Sequence, residues 1–285
     1  MDYASPQTVE DAVGLLSGAS GDARVLAGGT DLVVQMTAGL RRPSLVVDIK
    51  NIRELTGIQV DDRGIRIGAA VCGAAINEHP EIRANWPGFA EATDVIGSMQ
   101  VQSRATPAGN LCNASPAADA VPGMVAAGAT VTIAGPDGRR TVPVEQIPTG
   151  PGRTSLAKGE FIVSINLPPK PPRSGEAYLR FTPRTEMDIA VVGVGVSITL
   201  DTKGICTAAR VAIGAVAPTV LLVPEAAGAL IGSAVDDPAL DAAAEAVRSA
   251  CAPIDDKRAT AAYRVRISGV IFKRAALRAL DRAKA

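Results

Sequence analysis

The sequence predicts an α+β fold, on three observations. Near the start, an amphipathic segment and two short apolar runs follow one another in the order of a small parallel βαβ unit. Further on, apolar residues alternate on both sides of Asp61-Asp62-Arg63-Gly64 and of Gly135-Pro136-Asp137-Gly138, the pattern of antiparallel hairpins. Past a proline-rich segment, one strictly alternating strand precedes two long helical stretches. The expected division is a first domain over residues 1–170 and a second over 176–285. The first holds two α/β subdomains, a parallel βαβ one (1–55) and a mainly antiparallel sheet with helices (56–170). The second is an antiparallel sheet packed with helices.

Taken in order, Thr8 to Leu16 carries Val9, Ala12, Val13, Leu15 and Leu16 at helical spacing, with Thr8 as an N-cap. Arg24 to Ala27 reads as a strand, Thr30 to Leu40 as a helix that Thr30 caps, and Ser44 to Ile49 as a buried strand. Ile58 and Val60 pair with Ile65 and Ile67, and Val131 and Ile133 with Val142 and Val144. Phe161, Val163, Ile165 and Leu167 alternate along one more strand, and helices are expected around Phe89 to Ile96 and Asp119 to Ala127. Four prolines between Pro168 and Pro172 can continue neither sheet nor helix, so the domain boundary falls there. Val192 to Leu200 then alternates, turns at Asp201 to Gly204, and returns through Ala209, Val211 and Ile213. Helices follow near Ala239 to Ala250 and from about Ala259 onward. The last should bury Tyr263, Ile267, Val270, Ile271 and Leu277.

Composition excludes several functions. Lys+Arg 29 against Asp+Glu 29 gives no general attraction to nucleic acid. The longest apolar stretch, Ile189 to Leu200, is too short and glycine-rich to span a membrane. The first six residues are acidic and lack the apolar core of a signal peptide, so a cytoplasmic location is expected. Cys72, Cys112, Cys206 and Cys251 are scattered, and His79 is the only histidine. No metal or iron–sulfur site within the chain and no His-based triad is expected. His79, before Pro80, reads as a turn residue, and Cys112 as a packing residue.

Two glycine segments carry the functional signal: Leu26-Ala27-Gly28-Gly29-Thr30-Asp31 and Thr106-Pro107-Ala108-Gly109-Asn110. Each lies where an apolar run gives way to a possible helix start. There, glycine lets the backbone approach a ligand and free amides can bind an anion. Two such segments suit a ligand with two phosphates. Familiar nucleotide motifs do not explain them: Gly193-Val194-Gly195 lies inside a strand with Ile198 where a third glycine is needed, and no P-loop is present. Asp31 is placed to accept from a sugar hydroxyl or to favour the helix N-terminus.

Ala27-Gly28-Gly29-Thr30-Asp31-Leu32, Ala105-Thr106 through Gly109-Asn110-Leu111, and Asn113-Ala114-Ser115-Pro116-Ala117-Ala118-Asp119 resemble the FAD-binding subunit of the molybdenum hydroxylases. Ala177 to Phe181, Met187 to Gly193, Ile213 to Thr219 and Cys251 to Asp256 resemble its C-terminal domain, so the likeness runs nearly end to end. Thr149 to Thr154 points to the bacterial xanthine-dehydrogenase-like branch. The resemblance implies that Val25, Leu26, Ala27, Gly28, Gly29, Thr30, Asp31 and Leu32 wrap one side of the FAD diphosphate. Thr106, Ala108, Gly109 and Asn110 then hold the other side. It implies that Asp119 bonds the cofactor, that Ile96 and Ile162 line it, and that Arg180 stands near the flavin ring. Read without the resemblance, Asp119 is a helix N-cap and Arg180 a solvated strand residue.

The resemblance further implies a large molybdopterin subunit and a small subunit with two [2Fe–2S] clusters as partners, in a dimer of heterotrimers. Electrons would pass from the clusters through FAD to NAD+, dioxygen or a quinone. One departure stands out. Relatives show Ile/Val-Gly where this chain has Pro107-Ala108. Proline removes an amide donor, and alanine costs about 1–2 kcal/mol if the position needs positive φ. On that account an alternative remains, a flavin-free assembly subunit of the same kind of complex.

Overall fold

Three main sheets organise the computed structural model, which describes residues 1–285. The first is parallel. Strands β1 (Asp2–Ala4), β2 (Ala23–Leu26) and β3 (Leu45–Asp48) lie in the order β1-β3-β2, joined by α1 (Val9–Gly18) and α2 (Leu32–Thr37). Thr8 caps α1, its hydroxyl accepting from Asp11 N at 3.1 Å. Thr30 does not cap α2; Asp31 occupies that position and makes no side-chain cap bond. Strand β1 was not foreseen, because three residues carry no period.

The second sheet is antiparallel. It comprises β4 (Ile58–Asp61), β5 (Gly64–Gly68), β6 (Thr130–Gly135), β7 (Gly138–Pro143) and β10 (Phe161–Leu167), in the order β4-β5-β10-β6-β7. Between β5 and β6 lie six short helices: α3 (Gly73–Glu78), α4 (Pro80–Asn85), α5 (Pro87–Asp94), α6 (Met99–Gln102), α7 (Pro107–Asn113) and α8 (Ala120–Ala126). His79 is the turn between α3 and α4. A small hairpin, β8 (Pro148–Gly150) with β9 (Arg153–Thr154), precedes β10.

The third sheet orders β11 (Ser174–Phe181), β12 (Val192–Leu200), β13 (Cys206–Gly214) and β14 (Leu221–Leu222) consecutively. Helices α9 (Pro224–Leu230), α10 (Asp237–Ala250) and α11 (Ala261–Lys284) cover it. The buried stripe of α11 differs from the expected one. Ile271 is buried, but Val270 and Leu277 are exposed, while Phe272, Ala275, Ala276, Ala279 and Ala283 face the sheet. The reason is close approach: a Cβ on Gly175 would collide with the Ala279 carbonyl, so small residues, not bulky ones, must form this face.

Helices of the first half pack on this third sheet. A Cβ on Gly88 would stand 2.9 Å from the Ala177 backbone, and one on Gly195 would strike the Pro122 carbonyl. Gly195 is therefore a packing glycine under α8. Glu176 is buried at this junction. Its Oε1 accepts from Phe89 N at 2.8 Å, its Oε2 has no partner, and Arg282 is held by Glu91 at 2.6 Å. Burial, with Glu91 nearby, pushes the Glu176 carboxyl up to about 8. Folded chains then keep a proton that unfolded chains release once pH passes the ordinary carboxylate range. Stability contributed by this group is present below that range and is lost as pH rises toward 8. Glu176→Gln is expected to flatten this dependence, gaining roughly 2 kcal/mol over wild type between pH 6 and pH 8. Urea midpoints at the two pH values check it; parallel curves for both proteins would refute the assignment.

Candidate cofactor-binding site

Glycine 29 turns the chain at the end of β2 with φ +78°, a conformation closed to most side chains. From there six consecutive amides, Ala27 through Leu32, donate to no protein acceptor. They are partly exposed and border a cleft of about 520 Å³, within the range of cofactor sites. Gly28 presses against the segment entering α7, where a Cβ would collide with the Arg104 carbonyl. That contact brings the two glycine segments together.

The second segment is a helix start, as expected. Thr106 is the N-cap of α7, its Oγ1 accepting from Gly109 N at 2.9 Å. Pro107 takes N1, where its fixed φ suits the helix and its missing amide would have had no helical partner. Ala108 is helical, so the expected strain is absent. Its amide is the one in this turn left without a protein acceptor besides those the cap satisfies. Asn110 Oδ1 accepts from Ala120 N at 3.1 Å, which ties α7 to the start of α8.

Val25, Ala27, Gly28, Gly29, Thr30, Asp31, Leu32, Ile96, Thr106, Ala108, Gly109, Asn110 and Ile162 all line this cleft. Three expected residues do not. Leu26 lies beneath Gly29, its Cδ1 3.0 Å from where a Cβ would stand. Asp119 and Arg180 instead face one another across the junction of the two halves, 2.9 Å apart, with Tyr178 Oη donating to Asp119 at 2.9 Å. Asp119 sits at the N-cap position of α8 but makes no cap bond, and Arg180 is not solvated, with 8% side-chain exposure. Gly193 makes room for the Tyr178 hydroxyl, where a Cβ would come within 2.6 Å.

A third wall, Gly152 to Phe161, was missed apart from Ile162 beside it. Its signal was present: Gly152 and Gly159 both hold positive φ, just ahead of an apolar strand. This wall brings Lys158, and the α2–β3 connection brings Arg41; neither has a carboxylate partner. Arg24 and Glu160, also at the cleft, are paired with Asp22 and Arg140. These two unpaired cations outnumber the one lining carboxylate without a cation partner, Asp31, which suits an anion. Cys112 stands at the wall as a neutral thiol, desolvation pushing it up to about 12.

Residues 1–170 match the family model described as the FAD binding domain in molybdopterin dehydrogenase. Residues 177–279 match the CO dehydrogenase flavoprotein C-terminal domain. The chain belongs to the FAD-binding medium subunits of the molybdenum hydroxylases. The carbon monoxide dehydrogenase medium chain of Afipia carboxidovorans is 34% identical, over 99% of this chain and 98% of that one. A putative xanthine dehydrogenase FAD-binding subunit of Escherichia coli is 32% identical, covering 95% and 93%. Among solved structures, reconstituted CO dehydrogenase from Oligotropha carboxidovorans superposes with a TM-score of 0.94, at 34% identity over 99% of this chain and 98% of that one. Quinoline 2-oxidoreductase from Pseudomonas putida 86 gives 0.91 at 27% identity, covering 100% and 98%.

The FAD-subunit family fits the residues present. A dinucleotide needs donors for two phosphates and room for the backbone to approach. Six free amides, two cations without partners and a glycine at positive φ meet those needs at one cleft. No helix is long and apolar enough to cross a membrane.

Proposed function

We propose that this oxidoreductase subunit carries FAD in the cleft between its glycine segments and relays electrons within a heteromeric molybdenum hydroxylase. Its partners in this reading are a large molybdopterin subunit and a small subunit with two [2Fe–2S] clusters, assembled as a cytoplasmic dimer of heterotrimers. Bound FAD supplies electron exchange between the clusters and NAD+, dioxygen or a quinone. The amides of Ala27 to Leu32 hold one side of the diphosphate, and Thr106, Ala108, Gly109 and Asn110 shape the other. Ile96 and Ile162 present apolar surface to the rings. Asp119 and Arg180 act here as a pair that fixes the junction of the two halves. We place the domain boundary between residues 170 and 176.

The observation that carries this reading is the run of six unpartnered amides at the cleft. The flavin-free alternative rested on Pro107-Ala108; the expected strain is absent, since both residues suit the first turn of α7, and only the one amide donor that Pro107 lacks still counts for it. The purified native complex is expected to contain one FAD for each copy of this chain. The isolated chain reconstituted with FAD is expected to oxidise no purine, N-heterocycle or aldehyde, while its flavin still accepts electrons from artificial donors. Turnover of any of those substrates by a chain free of molybdenum and iron would overturn the electron-relay reading.

A further inference from the structure

Helix α2 follows directly from the amide run, yet none of its residues is buried, and Val33 and Val34 are half or more exposed. Packing therefore does little to set its place. Side-chain hydrogen bonds do. Asn113, the last residue of α7, donates through Nδ2 to Asp31 Oδ1 at 3.1 Å and accepts through Oδ1 from Gln35 Nε2 at 3.0 Å. Asp31 and Gln35 stand one turn apart on one face of α2, and all three side chains border the cleft. No other hydrogen bond joins α2 to α7. The following residue, Ala114, is left-handed with φ 50°, and its carbonyl accepts from Gly152 N at 3.0 Å. All three walls of the cleft thus meet at Asn113 and Ala114.

We propose that Asn113 is a positioning residue that clamps α2, and with it the amide run Ala27 to Leu32, against α7 at the spacing the cofactor requires. This rests on the reading that the cleft carries FAD. The residue type follows from the partners. Asp31 needs a donor and the Gln35 amide needs an acceptor, and a single side-chain amide supplies both. Aspartate at 113 keeps the acceptor for Gln35 but sets two carboxylates face to face.

The test uses the full chain, titrated with FAD by flavin fluorescence, together with hydrogen exchange of the flavin-free chain. Asn113→Asp is expected to weaken FAD binding on the order of tenfold and to speed exchange of the hydrogen-bonded amides of α2, Val33, Gln35 and Ala38. The reciprocal variant Asp31→Asn/Asn113→Asp has the charge of wild type. There the amide at 31 donates to the carboxylate at 113, which still accepts from Gln35. It is expected to return affinity to within about threefold of wild type and to restore slow exchange. If Asn113→Asp binds FAD and exchanges as wild type does, no clamp exists. If the reciprocal variant stays as weak as Asn113→Asp although folded, Asn113 does not act through Asp31 and the proposal fails. Failure of wild type itself to bind FAD overturns the underlying reading instead.

Discussion

Gly29→Val is expected to yield a folded chain that retains almost no FAD. At φ +78° an ordinary L residue costs about 1–2 kcal/mol, and a β-branched one more. The new Cβ would stand 3.0 Å from Leu26 Cδ1 and 3.3 Å from Val33 Cγ2, so both side chains must give by a few tenths of an ångström in addition to the backbone strain. Strain falls on a partly exposed turn, away from both hydrophobic cores, and the total of about 2–3 kcal/mol is small beside the ~5–15 kcal/mol that holds a typical protein folded. The turn relieves itself by moving. That breaks the bond from Val33 N to Gly29 O and swings the amides of Gly28 to Asp31 from the cleft. Losing two charge-assisted bonds at about 1.5–3 kcal/mol each weakens binding by at least about 100-fold. Visible flavin absorbance after gel filtration measures it, with Gly29→Ala intermediate. Full absorbance in a folded Val variant would remove the diphosphate from this turn.

What the sequence made legible here follows from periodicity. The hairpins β4–β5 and β6–β7, strand β10 and the β12–β13 pair were readable because large apolar residues alternate with small or polar ones along them, and short polar or glycine turns separate the paired strands. Strand β11 was hidden because its buried start, Ser174, Gly175 and Glu176, carries no large apolar residue, so no alternation marks it. Between β5 and β6, α5 and α8 were expected and found, while α3, α4 and α6, four to six residues long, are too short to show a stripe. In α11 the periodicity was visible and still misled, because the contact surface is set by alanines that let the helix close on Gly175.

At the site, glycines before a helix were a usable signal because few other residues tolerate the backbone there. Amide direction, by contrast, is a property of the folded turn. The same holds for Pro107-Ala108. Taken as positions that need an amide donor and positive φ, the pair suggested a defect; as N1 and N2 of α7 behind the Thr106 cap, both residues are unstrained. Nothing local in the sequence joins Asp31 to Asn113, 82 residues apart, or Asp119 to Arg180, 61 apart. Such pairs exist only once the fold has brought their elements together.

That last pair sets the largest expected loss of stability. Arg180→Met is expected to cost about 3–5 kcal/mol, since it leaves a buried carboxylate without its cation. Side-chain exposures of 8% and 10% mean that water replaces little of what is lost. Tyr178 Oη still donates to Asp119, but one neutral donor does not match an ion pair at 2.9 Å. Even beside Arg180, burial pushes the Asp119 carboxyl up to about 6. Without the cation it rises further, so the folded variant holds a proton across a wider range than the unfolded chain. The sign follows: the unfolded reference is common to both, so the defect is smallest below about 6, where both folded carboxyls hold the proton, and grows as pH rises to 8. Asp119→Asn/Arg180→Met removes both charges, keeps the Tyr178 contact and is expected to be more stable than Arg180→Met alone at pH 8. Urea unfolding of wild type and both variants at pH 5 and pH 8 decides the matter. An equal loss at the two pH values, or a double variant as unstable as the single one, would show that the pair does not hold the two halves of the chain together.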